Sequence, residues 1–549
     1  MNNHTDNKTY NNVFITVGYL LFVFLSSFPT ILFLSHIVGP PEDNQMFVWN
    51  LWWFKYAILN LKISPFFTDY LFFPDGASLI NHTFTPLNGM AAVILSSIFS
   101  FDAAYNILIL STFVVAGWGM YKLCRELGLG DFGSFAAGLI FSFSPFHLAH
   151  ALHHLNIASI QLLPFVLLTL IKAGQSRKGK YIFFTALILA ANFYLSYYIF
   201  LFSFLLIIPL LFIKQQRNTG QSDYAYIKPI LLSLGLSILF ISPLLIPMLF
   251  NTASISPGQV NEHPIFSADI LAFIIPHHYH WAGSCYPVID INNKLLGNPW
   301  ESAAFLGYFV LPVAIWALVK KQIPMKKYFI TVAVIGIILA LGSSPTILGK
   351  QISFIKLPYY IFEHIPGLSA ARSPARFVVL VYFSISIFAG VAAQSWWEYL
   401  KKYKHKIVRY LGLAGFCLLI MQDCWCGPFV MSQINVPDYY YRIKDDSGDF
   451  ALVNFPLLGW KPNERYMYYQ TVHNKPIIGG QLARSSLEYF NQFTSLTSSP
   501  ESYKAFHIKY IIVHKEFYSL EYYNDTCSKL KRTMSLFAET DNSTVFKVY

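Results

Sequence analysis

Charge is what this chain has least of. Asp, Glu, Lys and Arg make up only 12% of its 549 residues, where a soluble domain carries about 25%. With 55% hydrophobic residues, 50 of them Phe, the deficit excludes an ordinary soluble protein and points to a polytopic membrane protein. Cysteine is scarce as well. Six are scattered along the chain, and Cys424-Trp425-Cys426 has neither metal-ligand spacing nor a second Cys pair, so it reads as packing. There is no Walker loop and no Gly-rich dinucleotide fingerprint, which argues against nucleotide-driven transport and cytoplasmic nucleotide-sugar chemistry. No solenoid-length repeat or low-complexity tract is present. The net charge of +11 would suggest nucleic acid in a soluble chain. Here most Lys and Arg sit in short clusters between apolar runs, so they report topology, and no nucleic-acid partner is expected.

The apolar runs predict eleven spans, at about 13–38, 102–122, 131–147, 155–173, 180–196, 197–214, 227–250, 301–320, 327–342, 375–396 and 406–428. The first run is too long for a signal h-region and has no small-residue cleavage site, so it is expected to stay as an anchor. Between spans lie Lys122 with Arg125, Arg177-Lys178 with Lys180, Lys214 with Arg217, Lys320-Lys321 with Lys326-Lys327, and Lys401-Lys402 with Lys404, Lys406 and Arg409. All fall on one face if the N-terminus is cytoplasmic, as the positive-inside rule requires. The opposite face receives a long loop, 39–101, the loops 251–300 and 343–374, and everything after about residue 430. Within the long loop, the short apolar piece Pro86 to Ser100 is expected to be interfacial or re-entrant. The expected domains are a transmembrane domain, 1–430, and a small extracytoplasmic α/β domain, 431–549. In the latter Phe450–Phe455, Tyr510–Val513 and Ser543–Val548 read as strands.

The polar candidates collect on that opposite face. Glu42 and Asp43 follow Pro40-Pro41, which are expected to stop the first helix. After them Met46 to Trp53 reads as an amphipathic, aromatic segment on the membrane surface. The same loop offers Asp69, Asp75, Asn81 and His82. Four His lie between Pro145 and Asn156, and His147, His150 and His154 would share a face of one continuous helix. Such a face suits a transition metal, sugar hydroxyls, a phosphate, or a purely structural role. Glu301 stands at the start of an apolar run. It either faces a cavity or a partner or complements a helix dipole. Arg372 and Arg376 are four apart, near each other if a helix begins there, and guanidinium groups suit bidentate phosphate recognition. His277, His278 and His280 with Tyr279 and Trp281 suit either a sugar-binding surface or an aromatic belt.

On these residues the chain resembles the GT-C superfamily of glycosyltransferases, which includes protein O-mannosyltransferases, oligosaccharyltransferases and the lipid A aminoarabinose transferase. Their mark is an acidic residue or pair in a long first extracytoplasmic loop, the place of Glu42-Asp43. Within the superfamily it is similar to a bacterial branch with a C-terminal extracytoplasmic domain. The matching stretches run from Pro74-Asp75-Gly76 to Pro86-Leu87, from His150 to Asn156, from Glu301 to Gly307, from Arg372 to Arg376 and from Tyr466 to His473.

The resemblance implies a multi-pass protein of the bacterial inner membrane. It would move a hexose or pentose from a polyprenyl-phosphate-linked donor to a glycan, lipid or protein acceptor, with inversion. Asp43 would be the general base with Glu42 as helper, and Arg372 and Arg376 would bind the donor phosphate. His150, His154, Glu301 and His82 would contact substrate, and Tyr466 to Gln470 would position the acceptor. A divalent metal ion is the cofactor the resemblance admits, although no second acidic pair follows in the next outer turn. Two other classes compete. A flippase of lipid-linked glycans predicts charges deep within several spans, which are nearly absent here. A non-catalytic membrane scaffold predicts that Asp43 can be replaced without consequence. The topology is tested with reporter fusions. Fusions after Lys180, Lys327 and Lys404 report cytoplasm, and fusions at Gly258 and after Ser447 report the outside; a cytoplasmic signal after Ser447 would overturn the assignment.

Overall fold

The computed structural model describes residues 3–213, 215–216, 222–250, 265–295, 298, 300–301, 303–365, 368–425, 429–482 and 499–549. Cys426, Gly258 and Pro299 lie outside these residues. The chain forms two compact units. One comprises Met1–Phe33, Ile107–Ser242 and Gly258–Val430; the other comprises Leu34–Asn106, Pro243–Pro257 and Met431–Tyr549. The long loop 39–101, expected in the first domain, thus packs with the C-terminal segment.

The first unit is helical. A helix occupies each range expected to span, but the boundaries differ. The first helix is Asn3–Ser27, not 13–38. Pro29 follows it directly, and Ile37–Val38 are extended instead, so Pro40-Pro41 stop no helix. The range 131–147 contains a bent pair, Asp131–Ser142 and Pro145–Ala151, with 46° between them. The helix in the range 301–320 starts only at Val310. Among the described residues, five helices are long and apolar enough to cross a membrane alone, or six if the bent pair counts as one span. This is a multi-pass membrane protein.

Helix Val378–Leu400, entered through a 3-10 turn at Pro374–Phe377, is the centre of this unit. Helices Asp131–Ser142, Val310–Lys320 and Lys326–Ala340 pack against it. Closest approach is at two glycines: a Cβ on Gly390 would sit 2.7 Å from the Gly133 carbonyl oxygen and 2.8 Å from Ala137 Cβ. Small residues let membrane helices touch backbone to backbone in this way. In contrast, Ile227–Phe250 and Lys406–Cys424 expose large apolar side chains such as Leu231, Leu239, Leu411 and Leu418, as lipid-facing helices do.

The second unit is α/β. Among the described residues its main sheet has four strands, with Ile508–His514 inside it. That strand pairs parallel with Ala451–Phe455 and antiparallel with Ser543–Lys547, which pairs in turn with Ser535–Glu539. The edge strand Ser535–Glu539 was not expected. It is largely exposed, so it carries no buried alternation to read. Val453, Ile511, Val513 and Phe546 form one core with Tyr523, Cys527 and Leu530 of helix Leu520–Lys531. The segment expected to be amphipathic and interfacial is helix Asn44–Lys55, and every residue from Asn44 to Phe54 is buried. It packs between helices Pro86–Leu95 and Trp460–His473, with its polar Asn44, Gln45 and Asn50 buried alongside the aromatic and aliphatic residues.

Gly390→Ala and Gly235→Ala make the same change in two membrane helices. Alanine gains up to about 1 kcal/mol of helix propensity over glycine. At Gly235 a Cβ meets nothing within 4 Å, so that variant is neutral or stabilised. At Gly390 the close contacts dominate, and overpacking costs about 1–3 kcal/mol. Thermal unfolding in detergent reads the two signs; equal effects would contradict the close helix crossing.

Candidate functional site

The Glu42-Asp43 loop is built by buried amides. Asn106 accepts from Val38 N at 2.9 Å through Oδ1, and its Nδ2 donates to the carbonyls of Leu34 and His36 at 3.1 and 2.6 Å. Asn44 Nδ2 donates to the Val38 carbonyl at 3.0 Å, and its Oδ1 accepts from Glu42 N at 3.0 Å. Ile37–Val38 also pairs with Met431–Ser432. Gly39 then takes φ 97°, a conformation that glycine adopts without penalty. This fixes the chain on both sides of the two acids.

Asp43 is the residue before helix Asn44–Lys55. Its carbonyl accepts from Phe47 N at 3.1 Å, while its carboxylate does not cap the helix. The side chain is half-buried beside the first turn of the helix. Glu42 is partly offset by Lys461, whose Nζ lies 3.8 Å from Oε1. His82 is close enough to feel the charge of Asp43. Burial pushes its pKa down to about 3, and the neighbouring Asp43 only partly opposes that. His82 is therefore neutral at physiological pH, with Nε2 3.2 Å from Asn50 Oδ1. Asp43, Glu42 and His82 belong to one unit.

Behind the loop, Trp49 and Trp53 stack with centroids 5.8 Å apart, and Trp49 Nε1 donates to Gln470 Oε1 at 2.7 Å. Gln470 Nε2 donates to the Tyr70 and Lys475 carbonyls, and Arg465 Nε donates to Gln45 Oε1 at 2.6 Å. Tyr466, Met467, Tyr469 and Gln470 are buried. They support the loop from within and do not present an acceptor surface, contrary to expectation.

Glu301, Arg376, His150 and His154 meet in the other unit. The Arg376 guanidinium grips the buried Glu301 carboxylate, with Nε 3.1 Å from Oε1 and 2.9 Å from Oε2, and Nη2 closer still to Oε1. Its face lies 4.6 Å over the Tyr198 ring. Glu301 is thus no helix-dipole acid: the helix begins nine residues later, at Val310, and its partner is a cation. His150 Nε2 lies 3.9 Å from Glu301 Oε2, and its Nδ1 lies 3.3 Å from His154 Nδ1.

The three histidines do not share one helix face. Helix Pro145–Ala151 ends before His154, which precedes the short helix Leu155–Ala158. His147 is structural: Nε2 meets Thr112 Oγ1 at 2.9 Å and Nδ1 meets the Ser142 carbonyl at 2.6 Å. Arg372 and Arg376 are not on a regular helix either, because Pro374 opens only a 3-10 turn. Arg372 sits over the Phe266 ring at 5.9 Å, while Arg376 holds Glu301. Trp300 stacks on Tyr279, centroids 4.3 Å apart, and meets the tilted His153 ring at 3.5 Å. Among the described residues, no group of three His, Cys, Asp or Glu side chains is arranged to hold a metal ion.

The family model described as "Domain of unknown function (DUF6311)" matches residues 16–422. The chain belongs to this family. No curated protein matches the sequence. Among solved structures, the DUF6311 chain is similar to the archaeal oligosaccharyltransferase AglB from Archaeoglobus fulgidus in complex with an inhibitory peptide and a dolichol-phosphate. The TM-score is 0.53 at 10% identity, over 94% of this chain and 70% of that one. It is also similar to the arabinofuranosyltransferase AftD from Mycobacteria, with TM-score 0.58 at 13% identity, over 98% of this chain and 40% of that one. An Archaeoglobus fulgidus oligosaccharyltransferase in complex with Zn and sulfate gives 0.52 at 11% identity, over 97% and 72%. This DUF6311 protein therefore shares its fold with AglB and AftD, in keeping with the fold that the sequence resemblance implies.

Removing one member of a buried ion pair leaves the other charge uncompensated and costs about 3–5 kcal/mol. Glu301→Ala is expected to destabilise the protein by that amount. The double variant Glu301→Leu/Arg376→Met is expected to recover most of it. Thermal unfolding in detergent measures both; a double variant as unstable as the sum of its singles would contradict the pairing.

Proposed function

We propose that this protein is a GT-C-type glycosyltransferase. In this reading it transfers a sugar from a polyprenyl-phosphate donor to a cell-envelope glycan, lipid or protein acceptor on the extracytoplasmic face. The observation that carries the reading is the position of Asp43, half-buried at the start of a helix buried from Asn44 to Phe54, in a loop fixed by Asn44 and Asn106. A lipid-linked donor is supported by the dolichol-phosphate bound to AglB. Transfer of a pentose is supported by AftD, an arabinofuranosyltransferase.

The acceptor hydroxyl attacks the anomeric carbon as its proton passes to Asp43. The bond to the polyprenyl phosphate breaks on the opposite side, with inversion, and the phosphate leaves as an anion. Neutral His82 offers a hydrogen-bonding ring beside Asp43 without competing for the proton. Glu42, shared with Lys461, is the weaker base. Arg372 is the first choice for the leaving phosphate, because the Arg376 fork is engaged by Glu301. Arg376, Glu301, His150 and His154 are assigned to substrate contact as one network, with the Arg376 guanidinium gripping Glu301. Eleven crossings with the N-terminus cytoplasmic, in a bacterial inner membrane, complete the proposal. The outer face then carries the loop 39–101 and the segment after residue 430.

Asp43→Asn preserves shape and removes the proton acceptor. Sugar transfer from native lipid extract in membranes is expected to fall by about 10²–10⁴-fold, the usual contribution of a general base, with protein level unchanged. Glu42→Gln is expected to cost less. Full activity in the double variant would exclude catalysis by this loop.

A further inference from the structure

A cleft of about 970 Å³ opens among helices Val310–Lys320, Val378–Leu400 and Lys406–Cys424. Its size is at the upper end of the range of ~300–1,000 Å³ typical of small-molecule sites. Neither Asp43 nor Glu301 lines it, and the function proposed above makes no use of it. Most of its wall is apolar, including Phe309, Val313, Phe416 and Leu419. Its charges come from helix ends. Lys321 follows the C-terminus of the first helix, and Glu398 and Lys402 flank the C-terminus of the second.

These charges are not balanced. Glu398 is taken by Lys401, Nζ to Oε1 2.9 Å, and by Gln394 Nε2 at 2.8 Å. Lys321 and Lys402 instead hold their ammonium groups over aromatic rings, 5.3 Å from the Trp316 centroid and 5.8 Å from that of Tyr399. An apolar cleft in a membrane-spanning bundle, with two lysines and half-exposed aromatics at its rim, complements a lipid with an anionic headgroup. We propose that this cleft binds one anionic glycerophospholipid, with its phosphate between Lys321 and Lys402 and its acyl chains against Phe309, Val313, Phe416 and Leu419.

Gly415 offers a clean test. It lines the cleft, and a Cβ built there meets nothing within 4 Å, so a larger side chain fills the cleft without displacing the backbone. The protein is purified in detergent, supplied with equal amounts of phosphatidylglycerol and phosphatidylcholine of matched chains, and read by native mass spectrometry. Wild type is expected to retain phosphatidylglycerol about tenfold or more over phosphatidylcholine, as two lysines beside one phosphate would give. Lys321→Gln/Lys402→Gln is expected to lose that preference, and Lys321→Arg/Lys402→Arg to keep it. Gly415→Leu is expected to lose both lipids while its unfolding temperature stays that of wild type. No preference in the wild type, a preference that survives in the Gln variant, or undiminished retention by a folded Gly415→Leu would each overturn the proposal.

Discussion

One buried amide holds the candidate catalytic loop in shape. Asn106 engages the backbone of Leu34, His36 and Val38 at once. In a low-dielectric interior such bonds are strong and their loss expensive, because the freed backbone groups have no water to turn to. Asn44 extends the same grip to Val38 and Glu42. The acids therefore leave a defined turn, and Asp43 meets the start of its helix in one orientation. A base that acts on a hydroxyl needs such preorganisation, since placement errors of about 1 Å can cost orders of magnitude in rate.

The tryptophan-rich helix behind the loop makes the support continuous. Trp49 and Trp53 bury large aromatic surfaces, and each indole N–H is satisfied, by Gln470 and by the Pro65 carbonyl. Helix Trp460–His473 ties this arrangement to the sheet through Tyr466, whose ring stacks on His514 with centroids 4.7 Å apart. The C-terminal segment is thus part of the scaffold of the acidic loop. In the helical unit, the Glu301–Arg376 pair has a similar role. It neutralises a buried carboxylate among apolar helices and fixes His150 beside it. Burying such a pair gains little stability by itself, but losing either member is costly.

Much of the architecture was legible in the sequence because hydropathy and charge asymmetry are strong signals. Helices lie in all the expected ranges, and three of the four strands of the sheet were expected from their β-branched and aromatic runs. The GT-C fold was implied by the resemblance carried by the acidic pair together with the stretches from Pro74 to His473. What was not legible depended on tertiary contacts. The helix Asn44–Lys55 reads as interfacial because its tryptophans resemble a membrane belt, yet the second unit buries all of it. The partner of Glu301 lies 75 residues away in sequence, and no local pattern links the two. Asn106 did leave a trace, as a lone amide in the apolar helix Phe101–Glu126, where a polar side chain needs a partner.

The central claim is chemical and can be measured directly. Purified protein in proteoliposomes is incubated with lipid extract from its native membrane, and the polyprenyl lipids are followed by mass spectrometry. The account predicts that one glycosylated polyprenyl phosphate disappears while free polyprenyl phosphate accumulates in equal amount. A lipid pool that changes sidedness but not composition, or does not change at all, would contradict it.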